Sequence, residues 1–529
     1  MKHPFLYFAI LVLMCWMNEI PVSNAQDSGE LKIDPSLLIS LKECRNISES
    51  IGDQLFPGWI FKSTPILFYR PDVQELLINY PHQPEGFSLY TGFNPLNDKK
   101  IYVRNGTTTI PYDDQNTSRE IDSIPVLVVS DPFSTIRNQF NDMLGRPKDI
   151  AMEWLNKWQF IPDPYFKLQV IFHEAFHVYQ HKMAPDKYAD ESAVSQYPLL
   201  DPENNALYVL EGNILKDALL EKNQELRLEA IKEFVAVRSY RQSLLDSSFV
   251  AYENLNEYEE GLAKYVEYKF MQLGEKIKPI PEMNYVQGFN GYEGILSKKF
   301  LEEMDNMVNI VAVNDDRFGN KFGSGPLRFK LYDLGACEAL LLDVIMPQWK
   351  GNIFKPNVYL TDLLKQSLKL TQNELKQYLD KAKAGYHYDD AYSNKIEFEK
   401  EGKKKINEKI ESIMKTDKTL VKISYSNLTQ SARVIRYTPF GVTQISKNSA
   451  IYDMIPILVY FKKDCKIDFK QAIPVIVDQD RKQIVFSSAT PPSKFVCDEK
   501  NKLDLNEFSF TYPMDIHVVN NVVSIQIKP

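Results

Sequence analysis

His173-Glu174-Ala175-Phe176-His177 is the segment whose residue types and spacing could do chemistry. On a helix of about 3.6 residues per turn, positions i and i+4 share a face, so His173 and His177 can point two imidazoles at one ion. Zinc suits such a pair, with bonds of about 2.0–2.1 Å to imidazole nitrogen. Glu174 lies about 100° further round the helix. From there it can reach a water activated by the metal and act as general base, the arrangement H-E-x-x-H provides in hydrolytic zinc sites. With 7 His in 529 residues, chance alone predicts roughly 0.01 matches to this pattern. The plain alternative is a buried helix whose histidines only hydrogen-bond.

A catalytic zinc takes a third protein ligand and keeps one position open. His181 continues the series at i+8, but it sits about 12 Å along the helix axis from His173 and cannot share its coordination sphere. It reads as a solvated or supporting residue. A carboxylate on a second helix would complete the site. Candidates are Glu211 and the cluster Glu253, Glu257 and Glu260, which a regular helix would place on one face at i, i+4 and i+7. The plain reading of that cluster is a solvated acidic face. Against it, small and apolar residues crowd Glu260: Gly261, Leu262, Ala263 and Tyr265.

Glu260-Gly261-Leu262-Ala263-Lys264-Tyr265 together with the H-E-x-x-H resembles the gluzincin branch of the zincin metallopeptidases, whose aminopeptidases and bacterial collagenases carry a similar E-G-x-A stretch. The resemblance covers the two motif helices, about forty residues. It implies that Glu260 is the third zinc ligand, that one zinc is bound per chain, that peptides or proteins are the substrates, and that a mixed sheet precedes the zinc helix. The edge strand of that sheet would bind extended peptide by strand addition, with residues 59–80 or 125–130 as candidates. Tyr332 is the first choice for the hydrogen-bond donor to the oxyanion, since the aminopeptidases place a Tyr similarly downstream. Tyr265 and His387 are alternatives. The departure is spacing: 82 residues separate His177 from Glu260, so the intervening helices would be an insertion. The metzincin pattern, with its Gly-broken turn and later His, is not present.

The elements that must position these groups are legible in outline. Asp163-Pro164 predicts a helix start, running to about Met183 before Pro185. Helical stripes occur at Leu207, Leu210, Ile214, Ala218 and at Leu226, Ala230, Phe234, Val237. Further helices are expected over about Tyr252–Met271, Tyr332–Ile345 and residues 394–415. Strand-like runs precede the motif at Pro65–Tyr69, Glu75–Tyr80, Lys100–Val103 and Pro125–Val129. After Thr419 short apolar runs recur, and Asn520-Asn521 marks a hairpin. The expected fold is α+β. A zincin-like metallopeptidase domain spans 26–415, with a β-rich part at 26–150 and a mainly helical part at 151–415. A β-sandwich-like accessory domain of seven or eight strands follows at 416–529.

Composition sets the compartment and excludes classes. Lys+Arg 62 against Asp+Glu 70 gives net −8, without the basic footprint of a nucleic-acid binder. Lys2 followed by the apolar run Phe5–Met17 and Ser23-Asn24-Ala25 reads as a cleavable signal peptide over 1–25. The run is too short to span a bilayer, so a secreted or periplasmic chain without stable membrane insertion is expected. Of 5 Cys, Cys44, Cys337, Cys465 and Cys497 would remain, and Cys465–Cys497 is the first expected disulfide. Asn46, Asn105, Asn116 and Asn427 begin N-x-Ser/Thr sequons. The reading is an exported zinc peptidase with metal ligands His173, His177 and Glu260, base Glu174 and donor Tyr332. The alternatives are an inactive zinc-binding or protein-interaction module of the same fold, and a hydrolase of non-peptide amides.

Overall fold

The computed structural model describes residues 30–70, 73–92, 94–96, 100–106, 117–131, 163–313, 320–415 and 417–529. The expected signal peptide and the Asn116 sequon lie outside them. The chain is mixed α+β, 50% helical and 19% strand. Among the described residues, no helix is long and apolar enough to cross a membrane. Two compact units form: one contains residues 63–164, the other residues 165–284 and 288–529 together with 43–62.

The first unit is built on a six-stranded sheet. Its strands are β1 Ile66–Arg70, β2 Gln74–Ile78, β3 Ser88–Leu89, β4 Ile101–Asn105, β5 Thr117–Ile121 and β6 Ile124–Ser130, in the order β3-β4-β2-β1-β6-β5. β1 runs parallel to β6, and the other pairs are antiparallel. Alternation puts Leu67, Tyr69, Leu77, Tyr102, Val126 and Val128 into one buried cluster, as a period-two strand requires. The peptide-binding edge expected at 59–80 or 125–130 is corrected here. β1, β2 and β6 are interior strands, and among the described residues the edges are β3 and β5. Both faces of β1 and β2 are buried, which is why these segments read as continuous apolar runs.

In the second unit α1 is the zinc-motif helix, Pro164–Met183. Its bounds follow from Pro at the first turn and Pro185 beyond the end. Phe172 and Phe176 form its apolar face, packed on Trp59 at 6.0 and 5.2 Å between ring centroids, and Phe56 lies 4.9 Å from Phe176. The opposite face is left to the histidines. α2 (Pro202–Leu220) and α3 (Gln224–Ser243) follow, each begun by a capping side chain, Asp201 and Asn223. α4 is α-helical over Ser247–Asn256, makes a π turn at Glu257–Gly261, and resumes over Leu262–Leu273. α5 is Ile295–Val313 and α6 is Gly325–Ile345. α6 starts seven residues before the predicted Tyr332, because Pro326 is accommodated in its first turn rather than breaking it. α7 (Leu360–Leu368), α8 (Gln372–Gly385) and α9 (Tyr388–Met414) complete the helical part.

The C-terminal region holds a seven-stranded and a five-stranded sheet. Rings on the two sheets interlock, with Phe486 of Gln483–Ser488 5.0 Å from Phe469 of Cys465–Phe469 and 5.1 Å from Phe508. The twelve strands after Thr419 exceed the seven or eight expected, since pieces of three to five residues such as Lys502–Asp504 and Val442–Ser446 carry too little pattern to read. Cys44, Cys337, Cys465 and Cys497 are all unbridged. The Cys465–Cys497 pairing is not made; Cys465 is buried at the start of its strand.

The crossing of α4 and α6 is backbone on backbone. A Cβ on Gly335 would lie 2.5 Å from the Glu257 carbonyl oxygen, and one on Gly261 would lie 2.6 Å from Gly335 Cα. Gly335→Ala should therefore lower the unfolding free energy by about 1–3 kcal/mol or more. Gly351→Ala, where an added Cβ meets nothing within 4 Å, should be silent. Denaturant titration followed by circular dichroism measures both, and an unperturbed Gly335→Ala would show that the helices can separate freely.

Candidate metal centre

His173 and His177 project from one face of α1, and Glu260 reaches them from the π turn of α4. One ligand atom from each lies within 4.8 Å of the others. The Nε2 atoms of His173 and His177 stand 3.4 and 3.3 Å from Glu260 Oε2. A tetrahedron with bonds of about 2.0–2.1 Å has edges of about 3.3–3.4 Å, so these two separations fit ligands around one ion, as they also fit a His–Glu ion pair. The donor set, two imidazoles and one carboxylate, is of the kind that can hold a zinc ion.

The outer nitrogens are committed elsewhere, which leaves both Nε2 atoms for a metal. His173 Nδ1 meets Glu267 Oε1 at 2.7 Å, and the other Glu267 oxygen accepts from Lys264 Nζ at 2.9 Å. His177 Nδ1 meets Gln180 Oε1 at 3.0 Å. The orientation of the Gln180 amide follows from its other contacts. Its Nε2 donates to the carbonyls of Tyr258 and Glu259 at 2.7 and 3.0 Å, so its oxygen faces His177, whose Nδ1 must carry the proton. Gln180 thus ties the zinc-motif helix to the π turn. On Glu260 the two oxygens divide: Oε2 faces the histidines, and Oε1 accepts from Arg328 at 3.0 Å. Arg328 is itself held by Glu191 and by Asn256 Oδ1 at 3.0 Å.

Charge follows geometry. Burial would raise the Glu260 carboxyl, but His177, His173 and Arg328 beside it hold it well below the usual range. Burial would likewise raise Glu267, yet Lys264 and His173 keep it at about 2. Burial alone would lower His173, and the carboxylates of Glu260 and Glu267 instead raise it to about 10. Glu174 is pushed up by burial, with the two histidines acting in the opposite direction, the direction a general base near neutral pH needs. Tyr332 stacks on the His173 ring, 6.0 Å between centroids and 13° between planes. Burial and the nearby Glu260 raise its phenol, so it stays an O–H donor.

The rival carboxylates are elsewhere. Glu211, Glu253 and Glu257 bind buried guanidinium groups. Arg241 donates to Glu211 at 2.7 Å and to both oxygens of Glu253 at 2.7 and 2.9 Å, and Arg238 donates to Glu257 at 2.5 Å. The expectation that Glu253, Glu257 and Glu260 share one face is corrected: the π turn carries an extra residue, which rotates Glu260 away from the other two. Tyr265 donates to Asp343 at 2.8 Å, away from the histidines. His387 is exposed, in a left-handed conformation before α9, and His181 is also exposed. Sequence reasoning missed Gln180, Glu267 and Arg328. Helical spacing held the signal, since Gln180 is i+3 from His177 and Arg328 is i−4 from Tyr332.

No protein-family model matches the chain, and no curated protein or solved structure is significantly similar to it.

Metal binding at this site must displace the His173 proton, because a ligating imidazole is neutral. The sign is fixed by the raised pKa: below about 10 the metal-free imidazole is protonated, so acid competes with metal. Zinc affinity should rise about tenfold per pH unit for each proton displaced. Chelator-competition titrations between pH 6.5 and 8.5 read the slope, and a flat profile would mean that these histidines do not take the ion.

Proposed function

We propose that this chain is an exported zinc-dependent peptidase of zincin type. The single observation that carries the reading is the convergence of ligand atoms of His173, His177 and Glu260 within 4.8 Å, with both Nε2 atoms 3.3–3.4 Å from Glu260 Oε2; Glu174 lies on the same helix and Tyr332 stacks on His173. The donor set fits zinc. When bound, a zinc ion supplies Lewis-acid polarisation of a carbonyl oxygen and of water. The chain's own residues do the rest. Glu174 takes a proton from the attacking water and passes it to the leaving amine. Tyr332 keeps its phenolic proton and donates a hydrogen bond to the carbonyl oxygen as negative charge develops on it. Glu267 and Gln180 hold the imidazoles in the tautomer that presents Nε2. Arg328 occupies one oxygen of Glu260 and leaves the other for the ion.

The test is metal content followed by turnover on the mature chain from residue 26. Elemental mass spectrometry should find about one zinc per chain. Glu174→Gln should keep the zinc and lose about 10²–10⁴ in kcat on a peptide library. Tyr332→Phe should keep the zinc and lose about 10²–10³. Zinc bound without peptide cleavage by the wild type would favour an inactive binding module. Failure to bind zinc even on reconstitution would reduce the motif to a core coincidence.

A further inference from the structure

We propose that Lys330 is a covalent site for carbon dioxide: its buried amine, at the wall of a cavity between α2 and α6, takes CO2 as a carbamate. The site lies outside the metal centre and does not depend on the peptidase reading.

About 280 Å³ of empty space, including its opening to solvent, lies between Asn205 and Tyr208 of α2, Pro326 and Lys330 of α6, and Leu199 and Phe322. Phe322 is half-buried and the other five are buried. The interior is narrow, with room for about one water-sized group. A slender linear triatomic fits such a space, whereas a larger carbonyl compound or an organic acid does not. Lys330 stands two residues before Tyr332, so the helix turns its side chain about 200° away from the metal centre.

The amine lacks a counter-charge. Lys330 is 2% exposed. Among the described residues its Nζ has one hydrogen-bond acceptor, Asn205 Oδ1 at a long 3.4 Å, and no carboxylate partner. Glu211 and Glu253 on the adjoining helices each accept from Arg241 at 2.7 Å. Cations crowd the amine instead. Its Nζ lies 5.0 Å from the centre of the Tyr208 ring, and the Arg241 guanidinium lies 3.9 Å from the centre of the same ring. A guanidinium keeps its proton, so the amine is the group that yields. Burial, reinforced by Lys395 and Arg241 and opposed by Glu211, holds the Lys330 amine well below its ordinary value. Lys395 is buried as well, and donates to the Ala312 carbonyl rather than to a carboxylate.

The uncharged amine is the nucleophilic form of lysine. Its lone pair forms the N–C bond to the carbon of CO2, one C=O π pair moves onto oxygen, and one N–H proton leaves for solvent. Nothing is oxidised or reduced, and no other reactant enters. The step exchanges a charge that the surroundings disfavour for one they favour. Arg241 and Lys395 oppose an ammonium and attract a carbamate anion, and the remaining N–H can still donate to Asn205 Oδ1.

The experiment uses the full mature chain in sealed buffer holding carbon-13-labelled bicarbonate in equilibrium with CO2. Trapping with triethyloxonium, which alkylates carbamates, followed by proteolysis and mass spectrometry should place a labelled ethyl carbamate on Lys330. Occupancy there should exceed that at exposed Lys222 by at least about tenfold, as a large downward shift of one amine requires. Carbon-13 NMR of the untrapped protein should show a carbamate line that Lys330→Met lacks. CO2 should also raise the Tm of the wild type and leave that of Lys330→Met unchanged. The wild-type labelling decides by itself if Lys330→Met fails to fold. No label at Lys330, or label equal to that at Lys222, would overturn the proposal. So would a Tm gain matched by chloride at the same ionic strength, since that would mark Lys330 as a plain anion site.

Discussion

The contact of Gly261 with Gly335 is the constraint from which the rest of the site follows. Only where neither helix carries a Cβ can α4 and α6 approach backbone to backbone. The π turn at Glu257–Gly261 sits at this crossing, and π turns gather at functional sites because they re-aim side chains. Here the re-aimed side chain is Glu260. One turn along α6 from Ser324 stands Arg328, which holds Glu260, and one turn further stands Tyr332, which covers His173. Gln180 closes the loop by bonding the carbonyls of the π turn from the zinc-motif helix.

The same helix also has to separate acidic groups that a linear reading cannot tell apart. Arg238 and Arg241 are fully buried and meet four carboxylates, Glu211, Glu253, Glu257 and Glu338. A buried charge without a partner is costly, so two guanidinium groups leave an excess of negative charge. Burial pushes Glu257 and Glu338 up, toward the protonated form, which moves the cluster toward neutrality. Glu253, gripped by Arg241 through both oxygens, is held down despite its burial. The buried carboxylates thus serve two ends: one set locks α2, α3, α4 and α6 together, while Glu260 and Glu267 turn toward the histidines.

How much of this was legible in the sequence divides along physical lines. The zinc-motif helix was readable to the residue, because Pro164 and Pro185 act locally and the apolar spacing is regular. The strands at 66–70, 74–78, 101–105 and 124–130 were readable from their apolar runs, but their order was not. Which strand lies at an edge is a property of pairing, not of composition. Glu260 was reached through a family resemblance; its geometric reason, the π turn, leaves no mark on residue type. The helix expected to open at Tyr332 starts at Gly325, with Pro326 in its first turn. Arg328 and Gln180 have ordinary helical neighbours and become significant only once two elements meet.

The unbridged cysteines bear on what holds the chain together. Burial drives the thiols of Cys44 and Cys337 well above their ordinary value and Cys465 to about 11. Buried and protonated, these side chains behave as small apolar groups. Of the four described cysteines, only Cys497 is half open to solvent. With its four described cysteines unbridged, this part of the chain holds its shape by packing alone, and a reductant has no cross-link there to break.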